Sequence, residues 1–163
     1  MKYRRLSLEE LQSMEKEFIE YLAANSITGD DWQAMKRDQA KKAEERIEHF
    51  SDIVFEKVLN NIQLLEHRTK SEISYLKFNA EQVDMIGVKL EGESDIDFTH
   101  NEAADEMIAK AQAANVKLSV FSTSRNYKEE DRNLEIFKHL QMNMMICEDA
   151  RLYEALCNYK TSK

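Results

Sequence analysis

The sequence predicts an α+β fold: N-terminal helices followed by a small mixed β-sheet, made of a β-hairpin plus one βαβ crossover, packed with helices. Three observations carry this reading. Apolar residues recur at spacings of three and four through the N-terminal part, the signature of amphipathic helices. The period then changes, and Ile, Tyr, Phe and Val gather in two short runs between Glu72 and Glu91, as strands require. Finally, the 163 residues include no proline and only three glycines, where average usage gives roughly 8 and 11. Capping residues must therefore punctuate the chain instead.

The first helix opens at Ser7, which stands at capping-box spacing from Glu10. Leu8, Leu11, Met14, Phe18 and Leu22 then share one face, to about Ala24. Asn25-Ser-Ile-Thr-Gly29 breaks that helix, and Thr28 with Asp31 forms a second box for a short helix through Trp32 and Met35. Ala43, Ile47, Phe50, Val54, Val58 and Ile62 extend the helical spacing, opposite Lys41, Lys42, Glu45 and Glu48. A long helix from about Gln39 to Leu64 follows. Glu72 to Asn79 and Gln82 to Glu91 read as a hairpin turning at Ala80-Glu81. Gly87, inside the second strand, predicts a bulge or a close backbone approach.

Thr99 and Glu102 make a third box, for a helix from about Asn101 to Ala114. Val116 to Thr123 reads as a strand. Asn126 and Glu129 have capping spacing before a helix that presents Leu134, Ile136, Phe137 and Leu140. Met144 to Cys147 reads as a short buried strand, and Asp149 opens a last helix with Leu152, Tyr153 and Leu156. Strand, helix and strand from Val116 to Cys147 form the crossover, which is right-handed when its strands share a sheet. With no linker and no repeat, one domain is expected over residues 1–163, helical over about 1–65 and mixed over about 66–163.

Composition removes whole classes of function. Gly29, Gly87 and Gly92 are isolated from one another, and no G-x-x-x-x-G-K-[ST], G-x-G-x-x-G or G-x-S-x-G occurs. A phosphate-cradling loop and a nucleophile elbow are thus unsupported, and no cofactor is indicated. The net charge of −8 argues against nucleic acid. The basic cluster of Lys2, Arg4 and Arg5 reads as a solvated terminus. With 42% hydrophobic and 33% charged residues, and no apolar run of membrane-spanning length, the chain reads as soluble without a membrane partner. Its start lacks the apolar stretch of a secretory signal, so a cytoplasmic location is expected. Cys147 and Cys157, without a C-x-x-C, read as two free thiols.

Four places could hold chemistry. Glu91, Glu93, Asp95, Asp97 and Glu102 lie in an acidic stretch whose alternation resembles a calcium loop. Ile96 stands where that loop needs glycine, however, and a solvated turn beside a helix N-terminus is the plainer reading. Glu45, His49 and Asp52 share a helical face but lack a matching ligand set elsewhere. Glu66, His67 and Arg68 lie at the helix-to-sheet junction. Consecutive residues there point different ways, so structural pairing is preferred over a Glu66–His67 dyad. Ser124, Arg125, Tyr127 and Arg132 surround the start of the crossover helix, where α/β proteins commonly bind ligands. A capped turn is again the simpler alternative.

Several stretches together resemble a small family of bacterial proteins of unknown function. They are Met1-Lys-Tyr-Arg-Arg-Leu, Phe50-Ser-Asp-Ile-Val-Phe, Leu65-Glu-His-Arg, Asp95-Ile-Asp-Phe-Thr and Asp131-Arg-Asn-Leu-Glu-Ile-Phe. The resemblance implies a single cytoplasmic domain and carries no activity. Two functions follow as expectations. The first is a noncatalytic interaction or structural domain that self-associates, since eight methionines and mixed-face strands supply an adaptable surface or a sheet edge. The alternative is a small-molecule or anion-binding enzyme, with a pocket between the 122–132 region and the 66–68 junction.

Overall fold

The computed structural model describes residues 1–100, 102–127 and 131–161. The chain divides into two compact units, Met1–Asn60 and Asn61–Lys163.

The first unit is built from α1 (Leu8–Ser13), α2 (Glu15–Ala24), α3 (Gly29–Asp38) and most of α4 (Ala40–Asn61). Both predicted capping boxes form: Ser7 with Glu10, and Thr28 with Asp31. The single helix expected from Leu8 to Ala24 is instead two, divided at Met14. Ser13 supplies a cause, because its hydroxyl donates to the Glu10 carbonyl at 2.7 Å and competes for the helix's own acceptors. Beyond the break, Phe18 packs edge-on against Phe50 and Trp32, with ring centroids 5.0 and 5.3 Å apart. Leu8 falls off this buried face and is 72% exposed. Ser51, fully buried, accepts the Leu6 N–H and donates to the Ile47 carbonyl, which ties the N-terminal segment to α4.

The second unit holds β1 (Leu64–Arg68), β2 (Glu72–Phe78), β3 (Gln82–Glu91), α5 (Ala104–Ala113), β4 (Lys117–Asn126), α6 (Arg132–Gln141), β5 (Met145–Ile146) and α7 (Arg151–Thr161). The predicted hairpin is β2 and β3. The sheet order is β4-β3-β2-β1-β5, and every neighbouring pair is antiparallel. The expected mixed sheet is therefore corrected. β4, α6 and β5 do run strand, helix, strand, and four antiparallel steps leave β4 and β5 pointing the same way. They lie at opposite edges, however, because β1–β3 fill the space between them. The long helix stops at Asn61 rather than Leu64, since Leu64 already pairs with Lys77 in the sheet.

Alternation gives the sheet two different faces. On one, Ile73, Tyr75, Ile86, Val88 and Leu90 pack with Phe98, with Met107 and Ala111 of α5, and with Leu152 and Leu156 of α7. The other carries Leu76, Phe78 and Val83. There Phe78 meets His139 of α6, with ring centroids 5.9 Å apart.

Of the bulge or close approach that its position predicted, Gly87 makes the close approach. A Cβ there would stand 2.5 Å from Phe121 Cζ and 2.8 Å from the Ile73 carbonyl oxygen. Phe121 is its direct partner in β4, so the ring covers the surface that glycine leaves bare.

Three local expectations need correction. Thr99 does not cap α5; its N–H is held by Asp97 at 2.9 Å, and the helix begins after Ala103 with no side-chain cap. Asn126 ends β4 rather than capping α6, and Glu129 lies outside the described residues, as does the expected helix start at Asn101. Asp131 is the cap, accepting the Leu134 N–H at 2.9 Å. The buried strand near Met144 is an exposed edge, with Met145 54% and Ile146 51% accessible, because β5 has a strand partner on one side only. Among the described residues, no helix is long and apolar enough to cross a membrane.

Candidate functional site

The Phe78 face of the sheet is left partly open, as a groove of about 410 Å³. Strand register sets its floor. His67 stands opposite Ser74, Leu76 opposite Met85, Met85 opposite Thr123, and Val83 opposite Arg125. Residues directly opposed across antiparallel strands share a face, so these side chains all point the same way. The C-terminal end of α6 and the loop after it add His139, Met142 and Met144. The groove is thus an unbranched thioether and aliphatic surface with a few polar groups set into it, a lining that adapts to what it touches.

Its best-defined polar cluster is Arg125, Glu135 and His139. The Arg125 guanidinium donates to Glu135, whose same oxygen lies 3.6 Å from His139 Nε2. Burial opposes ionisation of Glu135, but the Arg125 hydrogen bond and charge outweigh it and hold the carboxyl below its ordinary value. Burial lowers the His139 pKa against the pull of Glu135. At neutral pH this is an ion pair beside an uncharged imidazole.

The remaining expected residues divide by face and by task. His67 and Arg125 both line the groove, on β1 and β4. Glu66 and Arg68 lie on the opposite face of β1, paired at 2.6 Å, and Arg68 also donates to the Glu102 carbonyl at 2.7 Å. Ser124 opposes Asp84 and faces away from the groove. The Tyr127 hydroxyl donates to the Asn79 carbonyl at 2.8 Å. Arg132 donates to the carbonyls of Phe78 and Ile62 and, at 3.1 Å, to Asn133 Oδ1. These last two side chains fasten the hairpin turn and α6 to the sheet.

The acidic residues are spread over local partners. Glu91 pairs with Lys117 at 3.4 Å, Glu102 with Lys110, and Asp97 with the Thr99 backbone. No cluster of three or more His, Cys, Asp or Glu able to hold a metal occurs among the described residues. His49 meets the Tyr21 hydroxyl at 2.8 Å, while Asp52 accepts the backbone N–H groups of Lys2 and Tyr3.

No activated nucleophile accompanies the groove among the described residues. Both cysteines are free thiols. Burial, then the nearby Glu66 charge, pushes the Cys147 thiol up to about 11, so the reactive thiolate is scarce at neutral pH. Tyr75 is fully buried opposite Glu66, and burial first, then that charge, keeps its phenol protonated.

Sequence reasoning missed two features. β1 hides in a run that continues the α4 apolar pattern. β4 extends past Thr123 to Asn126, and it is exposed from Ser122 onward. The alternation of Thr123 and Arg125 with Ser122 and Ser124 was the available signal.

Fold and site define a small α+β protein with an antiparallel sheet, a thioether-lined groove and, among the described residues, a long edge strand with a strand partner on one side. Residues 1–161 match the family described as "Family of unknown function (DUF6495)", and the chain belongs to that family. No curated protein and no solved structure matches it.

Proposed function

We propose that this protein is a noncatalytic, cytoplasmic interaction domain that self-associates through the free edge of β4. The edge itself carries the reading. β4 is ten residues long and is an outermost strand of the sheet. Natural edges are usually blunted by proline, inward charge, a bulge or shortness. From Leu118 to Ser124, β4 has no charge, no proline and no glycine. The engagement of Arg68, Tyr127 and Arg132 in structural hydrogen bonds supports a noncatalytic role, as does the protonated Cys147 thiol. The net charge of −8 favours a protein partner over nucleic acid. Sedimentation velocity over a concentration series should show a reversible shift from monomer to dimer. A monomer at every concentration overturns the proposal.

A second reading, a small-molecule or anion-binding enzyme, is favoured by one observation: His67 and Arg125 line the same groove. A thermal-shift panel of nucleotides, sugar phosphates and metals tests it. A raised midpoint that Arg125→Ala abolishes would support it, and no response across the panel would remove it.

A further inference from the structure

We infer that β4 pairs with β4 of a second copy, antiparallel, about a twofold axis at Ser122, and that each copy thereby extends the other's groove. This rests on the self-association proposed above and specifies its geometry.

Three constraints select the register. The first is facial. A twofold axis normal to the sheet keeps each face on its own side, so only residues on the same face of β4 can oppose each other. The axis must therefore pass at a residue, never between two. Phe121, Thr123 and Arg125 lie on the groove face, opposite Gly87, Met85 and Val83. Leu118, Val120, Ser122 and Ser124 lie on the helix-packed face, opposite Leu90, Val88, Ile86 and Asp84.

The second constraint is charge. An axis at Phe121 would set Lys117 of each copy against Arg125 of the other, and like charges directly opposed are unfavourable. The third is length. An axis at Val120 or at Thr123 shortens the paired segment by two residues per strand within Lys117–Asn126. An axis at Ser122 pairs the whole segment from Leu118 to Asn126 and opposes no like charges. It sets Leu118 against Asn126, Ser119 against Arg125, Val120 against Ser124 and Phe121 against Thr123. Half-exposed Val120 then gains a neighbour on its open side.

The consequence reaches the groove. Thr123 and Arg125 form its rim on β4. In the dimer they acquire Phe121 and Ser119 of the partner subunit as cross-strand neighbours, so the floor continues across the axis. Two sheets of five strands become one of ten, within the size that open sheets reach.

Cysteine trapping reads the register. In the full chain, Val120→Cys, Ser122→Cys and Ser124→Cys are made singly and oxidised gently. Peptide mapping separates any new disulfide from Cys147 and Cys157. Only position 122 meets its own copy. Positions 120 and 124 stand about 14 Å from theirs along the strands, beyond disulfide reach. The expected result is a dimer linked at 122 and not at 120 or 124. Linking at 120 or 124 overturns the register and leaves edge pairing intact. A dimer that links at none of the three also overturns the register, and a monomer overturns self-association as well. Ser122→Lys gives a second reading: it places like charges on the axis and should weaken the dimer about tenfold with circular dichroism unchanged. An unchanged dimer affinity overturns the register.

Discussion

Gly87 shows how much one residue type can report. A lone glycine inside a strand signals a bulge or a close approach, and the second is what occurs, with Phe121 lying over the bare backbone. Gly87→Ala adds a methyl group 2.8 Å from the Ile73 carbonyl oxygen, which belongs to backbone and yields little. Overpacking of this kind costs about 1–3 kcal/mol, and urea denaturation should show a loss in that range with an unchanged slope. His67 was legible in part. Its separation from Glu66 follows from strand alternation alone, whereas its place on the same sheet face as Arg125 needs β1 and β4 set in one sheet. Arg132 was legible as important, but its task was not. The residue type fits an anion equally well, and only the surrounding carbonyls of Phe78 and Ile62 show what it binds.

Helix starts illustrate what local chemistry can and cannot say. Ser7–Glu10 and Thr28–Asp31 form the boxes that their spacing predicts. Thr99–Glu102 has the same spacing and fails, because Asp97 takes the Thr99 N–H and Lys110 takes the Glu102 carboxylate. A capping box is a competition among nearby partners, and sequence spacing lists only one pair of competitors. At α6 the working cap is Asp131. Asp131→Ala should cost about 1 kcal/mol. It should also raise amide exchange in the first turn of α6, the helix that carries Glu135 and His139, and hydrogen exchange checks both. β1 escaped notice for a related reason. Five residues that follow a helix with no intervening proline or glycine continue an apolar pattern of either period, so only pairing with β2 identifies the strand.

Acid stability belongs to the whole molecule. Burial holds the His139 pKa below its ordinary 6.5. As pH falls, the unfolded chain therefore takes up that proton first, and the contribution of His139 is complete above 6.5 and lost below it. Glu135 is also depressed, as are Asp31, Asp97 and Asp149, while Glu10 is held down to about 2 beside Arg4. Those carboxylates stabilise the fold above their ordinary range and stop doing so as they protonate. Thermal midpoints should thus be flat between about pH 7 and 8, decline first below about 6.5, and fall further below about 4.5. In His139→Gln the first decline should disappear and the second remain, which a pH series of melting curves would show.

The sequence by itself determined the fold class, the helical N-terminal part, the β2–β3 hairpin and two of the caps, and it marked Gly87 as a bulge or a close approach. Each rests on interactions within a few residues or on the period of burial, and both are written along the chain. Tertiary structure alone decided that the sheet is antiparallel throughout and that β4 and β5 lie at opposite edges. It also set His67 and Arg125 on one face of the sheet and, among the described residues, left β4 with a strand partner on one side. The reason is physical: strand partners distant in sequence are chosen by which arrangement buries both sheet faces and pairs the backbone. That choice depends on all the elements at once, and no single segment encodes it.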